Sequence, residues 1–134
     1  MTINLTKIAG PSASAAELRA HVLMLSEIFR PRDDAHPEDL ERAALYIENI
    51  FKQNGAFVSR QRVSVNGNDY SNVSVLYGSA STPIIIIGTH YDAAGPLHDA
   101  DDNASGVAGV LEISKLFREA LCAIRTGIMP PKHL

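Results

Sequence analysis

Residues 84–107 read IIIIGTHYDAAGPLHDADDNASGV. The first four positions are all isoleucine, so no apolar–polar alternation separates two faces. Opened by Pro83 and closed by Gly88, this run predicts a strand buried on both faces, as in the middle of an α/β sheet. Ligands of open α/β sheets bind beyond the carboxyl ends of the strands. His90 and Asp92 stand at that exit. Two residues apart on extended chain, they point the same way. One use of this spacing is a metal-bound imidazole whose neighbouring carboxylate fixes its tautomer and raises its basicity.

A polar, glycine-containing loop follows from Thr89 to Asp102. Asp101, Asp102 and Asn103 then stand where the next helix begins, and Asp or Asn there caps free backbone N–H groups. Ala104, Ser105 and Gly106 are small enough to let the helix start pack closely. That helix is predicted from Asn103 to about Ala120, with Val107, Val110, Leu111, Ser114, Leu116 and Phe117 on or near its inward face.

Upstream, Phe57–Val65 and the return through Val73, Val75 and Tyr77 flank Asn66-Gly67, a strong hairpin signal. Further upstream the period is helical. Ser14 can cap a helix over Ala15–Phe29 with Leu18, Val22, Leu25 and Phe29 on one face. After the proline-broken segment RPRDDAHP, Pro37 opens a second helix, Leu40, Ala44, Ile47 and Phe51 form its stripe, and Gly55 ends it. The order helix, helix, hairpin, buried strand, loop, helix predicts an α/β fold with a mixed sheet.

A chain of 134 residues fits one domain, and 46% hydrophobic residues supply one modest core. The net charge of −3 lacks the basic footprint of a nucleic-acid binder. Cys122 stands alone, which excludes an intrachain disulfide. The apolar run Ile84–Ile87 is too short to span a bilayer, so no membrane role is expected. The N-terminus lacks a charged head followed by an apolar run, and the default expectation is a soluble cytoplasmic chain.

Taken singly, each feature has an ordinary structural explanation. A histidine after a strand is usually a satisfied structural residue, and an Asp before a helix is usually a cap. His98 and Asp99, in a loop rich in Gly, Pro and Ala, are expected to be solvated. The ordered combination is more specific: apolar strand, H-x-D, Gly/Pro loop, then D-D-N-A-S-G into a helix.

GTHYD followed by DADDNASGVAGVLEISKLF closely resembles the zinc aminopeptidases of peptidase family M28. HPEDLERAALYIENIFKQNGAFVSRQRV resembles that family's helix and following strand, and NVSVLYGS with STPIIIIGTHYD resembles the paired strands leading to its first ligand. The resemblance covers about residues 15–120, with 121–134 a divergent tail. It implies helices packed on a mixed, centrally parallel sheet of the zinc-exopeptidase (phosphorylase/hydrolase-like) type, here incomplete. It implies that His90 binds one zinc, that Asp102 bridges two, and that Asp92 orients His90 without ligating, while Asp101 is a neighbour only. A single carboxylate can hold two ions roughly 3.5–4 Å apart. The implied reaction is metal-assisted hydrolysis of an N-terminal peptide bond in a peptide or aminoacyl substrate.

The family also supplies a Glu-Glu pair after the next strand, then a further acidic ligand and a second His. Residues 121–134, LCAIRTGIMPPKHL, contain no Asp or Glu. Glu112 and Glu119 lie on the helix, where Glu112 is expected to face solvent or cap packing, and His133 reads as a tail residue. Ala123-Ile124-Arg125 could begin a strand, but Gly127, Pro130 and Pro131 stop it. The expectation is an N-terminal fragment of a two-zinc aminopeptidase, inactive alone, with weak or absent zinc binding and self-association through an open sheet edge. A non-catalytic binding or assembly module of the same fold is a second reading. A third is another two-zinc hydrolase, such as a carboxypeptidase, or a glutaminyl cyclase, since fold does not fix substrate.

Overall fold

The computed structural model describes residues 11–78 and 83–126. Helix α1, Ala15–Leu23, starts where the Ser14 hydroxyl accepts the Glu17 N–H at 3.3 Å. It runs on into a π-helical turn, Met24–Ile28, which buries Leu25. Helix α2, Pro37–Gln53, begins with proline at a position whose N–H needs no partner. Glu38 and Asp39 sit in its first turn and Lys52 in its last, both favourable to the helix dipole. The predicted stripe Leu40, Ala44, Ile47 and Phe51 is buried, and Gly55 ends the helix at φ +72°.

Strands β1, Val58–Val65, and β2, Asn68–Val75, pair antiparallel, with Val58 opposite Val75 and Val65 opposite Asn68. Asn66 and Gly67 both take positive φ, as a tight two-residue hairpin turn requires. Val58, Val73 and Val75 pack on the core. Arg60 binds β1 to α2 through both oxygens of Glu41, at 2.8 and 3.2 Å, and through Glu48 at 3.1 Å.

Helix α3, Ser105–Arg125, completes the core: Ala104, Val107 and Leu111 meet Leu25, Ala43, Ile47 and Phe51. Glu112 does not face solvent. It is buried and accepts the Ser14 N–H at 2.6 Å and the Lys115 ammonium at 3.1 Å, joining α3 to the start of α1. Ala123–Arg125 belongs to α3 and does not begin a strand. Residues 1–10 and the tail residues Gly127, Pro130, Pro131 and His133 lie outside the described residues.

The architecture is mixed α/β, with helices against a small antiparallel sheet. The predicted centrally parallel sheet is not formed among the described residues, where β1 and β2 are the sheet. Ile84–Ile87 is not buried: Ile85 and Ile86 are each 88% exposed. A strand buried on both faces needs neighbours on both edges and a packed layer on each side. Among the described residues no strand pairs with Ile84–Ile87. A groove of about 1110 Å³ lies instead between this stretch, β2 and α3, lined by Val73, Val75, Ile84, Ile86, Val110 and Phe117 among others. No helix among the described residues is long and apolar enough to cross a membrane.

Candidate metal centre

Past Gly88 the side chains alternate. His90 and Asp92 are exposed, whereas Tyr91 between them is half-buried and packs on the core. The Tyr91 hydroxyl donates to the Ser71 carbonyl of β2 at 2.6 Å, and burial pushes its pKa up. With residue 91 rooted inward, residues 90 and 92 must project together to the other side.

Asp102 reaches the same place from the other end of the loop. Asp99 takes a left-handed conformation (φ 43°, ψ 46°) and opens the π-helical turn Ala100–Ala104. Inside that turn Asp102 and Asn103 depart from helical angles, and the peptide between them is cis. Asn103 then joins the two ends of the site. Its amide nitrogen donates to the Thr89 hydroxyl at 2.6 Å, and its oxygen accepts the Gly106 N–H at 3.0 Å. Asp99 is half-buried, in contrast to the solvated position expected of it: its carboxylate accepts the Ala94 N–H at 3.0 Å. His98 is exposed and contacts Arg30 and Glu27.

These elements bring all three sequence-predicted residues together. His90 Nδ1 lies 3.1 Å from Asp92 Oδ1, and His90 Nε2 lies 3.1 Å from Asp102 Oδ1. Asp102 is 78% exposed, so the open side of the cluster faces solvent. Asp101 is exposed beside them and accepts the Ser105 hydroxyl only through its backbone carbonyl. Glu112 is turned away into the α1–α3 contact.

The chemistry of this trio is constrained. A neutral imidazole has one N–H, and a carboxylate only accepts. If Nδ1 donates to Asp92, the Nε2 lone pair faces an Asp102 oxygen. That contact is repulsive unless the ring takes a second proton or a cation lies between the two atoms. The 3.1 Å separation admits either arrangement. Zinc bonds of about 2.0–2.1 Å to imidazole and carboxylate, arranged tetrahedrally, put the two donor atoms roughly 3.3 Å apart. The Nε2–Oδ1 separation is close to that. No group of three or more His, Cys, Asp or Glu side chains is arranged to hold a metal among the described residues.

Arg32 carried no signal in the sequence, because it lies in the proline-broken segment between two helices. It is 1% exposed, and its guanidinium donates to the backbone carbonyls of Tyr91 at 2.9 Å, of Asp99 at 3.4 Å and of Leu25. Burial pushes its pKa down, opposed by Asp99 and Asp92, and an arginine remains charged under such conditions.

Residues 72–129 match the model of peptidase family M28. The chain is 40% identical over 124 residues to the uncharacterized protein YfbL of Escherichia coli (strain K12), covering 87% of this chain and 38% of that protein. It is 27% identical over 128 residues to leupeptin-inactivating enzyme 1 of Streptomyces exfoliatus, covering 92% of this chain and 28% of that protein. The chain therefore spans well under half the length of these two curated relatives. No solved structure gives a significant match. These similarities support a relationship to peptidase family M28, over a stretch that includes His90, Asp92 and Asp102.

Proposed function

We propose that the chain is the N-terminal part of a metal-dependent aminopeptidase and supplies part of a zinc site. The observation that carries this reading is the His90 ring held between two carboxylates, each at 3.1 Å. His90 would bind one zinc through Nε2. Asp102 would bind it too and, having two oxygens, could serve a second ion. Asp92 would hold Nδ1–H and so keep the Nε2 lone pair directed at the metal. A zinc ion bound there supplies Lewis-acid polarisation of a peptide carbonyl.

Two protein donors make a weak site, since catalytic zinc generally has about three. No carboxylate follows Glu119 in this sequence, so a general base and further ligands would come from elsewhere. In the longer assembly Ile84–Ile87 would become a central strand, consistent with its apolar character on both faces. The substrate class is a peptide or aminoacyl compound with a free N-terminus. The 134-residue chain alone is expected to have negligible activity on aminoacyl p-nitroanilides; robust, chelator-sensitive turnover would overturn that part.

Zinc titration by calorimetry tests the metal reading. Weak binding is expected in the wild-type chain and is lost in both His90→Ala and Asp102→Ala. A chain that binds no zinc, or binds equally well after both substitutions, is not a metal site. The groove beside Ile84–Ile87 favours a second reading, a non-catalytic assembly module of the same fold. That reading needs no metal, so the same titration separates the two.

A further inference from the structure

We infer that Arg32 is a positioning residue that sets the geometry of His90, Asp92 and Asp102 by gripping the backbone on which they stand. The inference rests on the zinc-site reading above.

Two hydrogen bonds bracket Asp92 on the chain. The Arg32 Nε–H donates to the Tyr91 carbonyl at 2.9 Å, and the Ala93 N–H donates to the Arg32 carbonyl at 2.7 Å. One buried residue thus fixes the peptides on both sides of the orienting carboxylate, and Tyr91, which carries the first bonded carbonyl, directly follows His90. The same guanidinium donates to the Asp99 carbonyl at 3.4 Å. That carbonyl also accepts the Ala104 N–H at 3.2 Å, across the turn that carries Asp102. The remaining donation, to Leu25, anchors the fork in the core beneath.

Arginine suits this task for a geometric reason. Its five N–H donors lie in one rigid plane and can serve three carbonyls on three segments together. Lysine keeps the charge but is a single ammonium on a flexible stem, and it cannot hold all three. His90 and Asp102 are separated by a loop of eleven residues, so their 3.1 Å contact depends on both loop ends being fixed. Arg32 touches each end. Tyr91, pinned by its hydroxyl to β2, supplies the counter-anchor that keeps the grip directional.

The test compares Arg32→Lys with Leu40→Ala in the 134-residue chain, Leu40 being a buried core residue of α2 that takes no part in the site. Three readouts are taken: zinc affinity by calorimetry, exchange of the Ala93 amide, and the metal-free tautomer of the His90 ring by long-range ¹⁵N NMR at a pH where the ring is neutral. Arg32→Lys is expected to weaken zinc binding by about ten-fold or more, the usual effect of losing support behind a metal ligand. It also speeds Ala93 exchange and shifts the tautomer ratio of the His90 ring away from its wild-type value. Leu40→Ala lowers thermal stability and leaves zinc affinity and tautomer as in the wild type. An Arg32→Lys chain with wild-type affinity and tautomer overturns the inference, as does a Leu40→Ala chain that shifts them equally. If the wild-type chain binds no zinc, the zinc-site reading falls by itself. The NMR readouts then decide Arg32: it stands if Arg32→Lys alone alters them and falls if they do not change.

Discussion

Asn103 and Thr89 are bonded across fourteen residues of chain, the Asn103 amide donating to the Thr89 hydroxyl at 2.6 Å. Because the other end of the same amide accepts the Gly106 N–H, one side chain links the apolar stretch, the Asp102 turn and the first turn of α3. Asp102 owes its place to this link, since it directly precedes Asn103.

The link leaves no room at residue 106. A Cβ there would overlap the Asn103 amide oxygen and lie 2.6 Å from the Thr89 hydroxyl. Gly106→Ala is therefore expected to destabilise the fold by about 1–3 kcal/mol, the usual range for overpacking, although alanine is the better helix former. Urea unfolding of the variant measures this. Wild-type or higher stability would show that the junction opens without cost.

The protonation of His21 gives a pH dependence with a defined sign. The ring is half-buried in α1, within 2.5 Å of the Tyr46 hydroxyl, and burial pushes its pKa down despite Glu112 and Glu17. The unfolded chain then binds a proton more readily than the folded one, so folding stability falls as pH drops through about 6.5 toward the lowered folded pKa. His36 has the opposite sign: its hydrogen bond to Asp33 raises its pKa, and its contribution is present below about 6.5 and fades as pH rises through the raised value. Urea midpoints measured from pH 5 to 8 for the wild type, His21→Gln and His36→Gln should separate the two. Loss of the acid-side slope in His21→Gln is expected; an unchanged slope in that variant refutes the assignment.

The helices and hairpin were legible because their signals are local. The Leu40–Phe51 stripe, Pro37 at a helix start and Asn66-Gly67 at a turn each act through neighbours in sequence. His90, Asp92 and Asp102 were legible through spacing and resemblance, and the loop brings them within contact distance. Arg32 was not, because its partners are carbonyls of residues 25, 91 and 99, and a backbone carbonyl leaves no mark in a sequence. The predicted burial of Ile84–Ile87 failed for a related reason. An all-apolar run states what a strand needs on both sides, but not whether the neighbours are present.

The core should respond to truncation in proportion to its burial. Leu111 is buried in α3 against Leu25, Ile47 and Phe51. Leu111→Ala is expected to cost about 2–5 kcal/mol, the lost transfer energy plus a cavity. Thermal unfolding followed by circular dichroism measures it. A loss near zero would show that α3 does not pack there.

The same reasoning gives the opposite result at Ile85 and Ile86. Each is 88% exposed, so neither contributes packing that a substitution can remove. Their exposure beside an apolar groove, and an edge of β2 that is unpaired among the described residues, offer both apolar surface and backbone hydrogen-bonding groups to a second molecule. The wild-type chain is therefore expected to self-associate as concentration rises. Ile85→Lys with Ile86→Glu should suppress that association while shifting the unfolding midpoint little, because surface changes usually alter stability by about 0.5 kcal/mol or less. Sedimentation velocity over a concentration series, paired with urea unfolding, reads both quantities. A wild-type chain that stays monomeric throughout removes the association. A double variant that unfolds far more easily shows instead that these isoleucines are buried in the monomer.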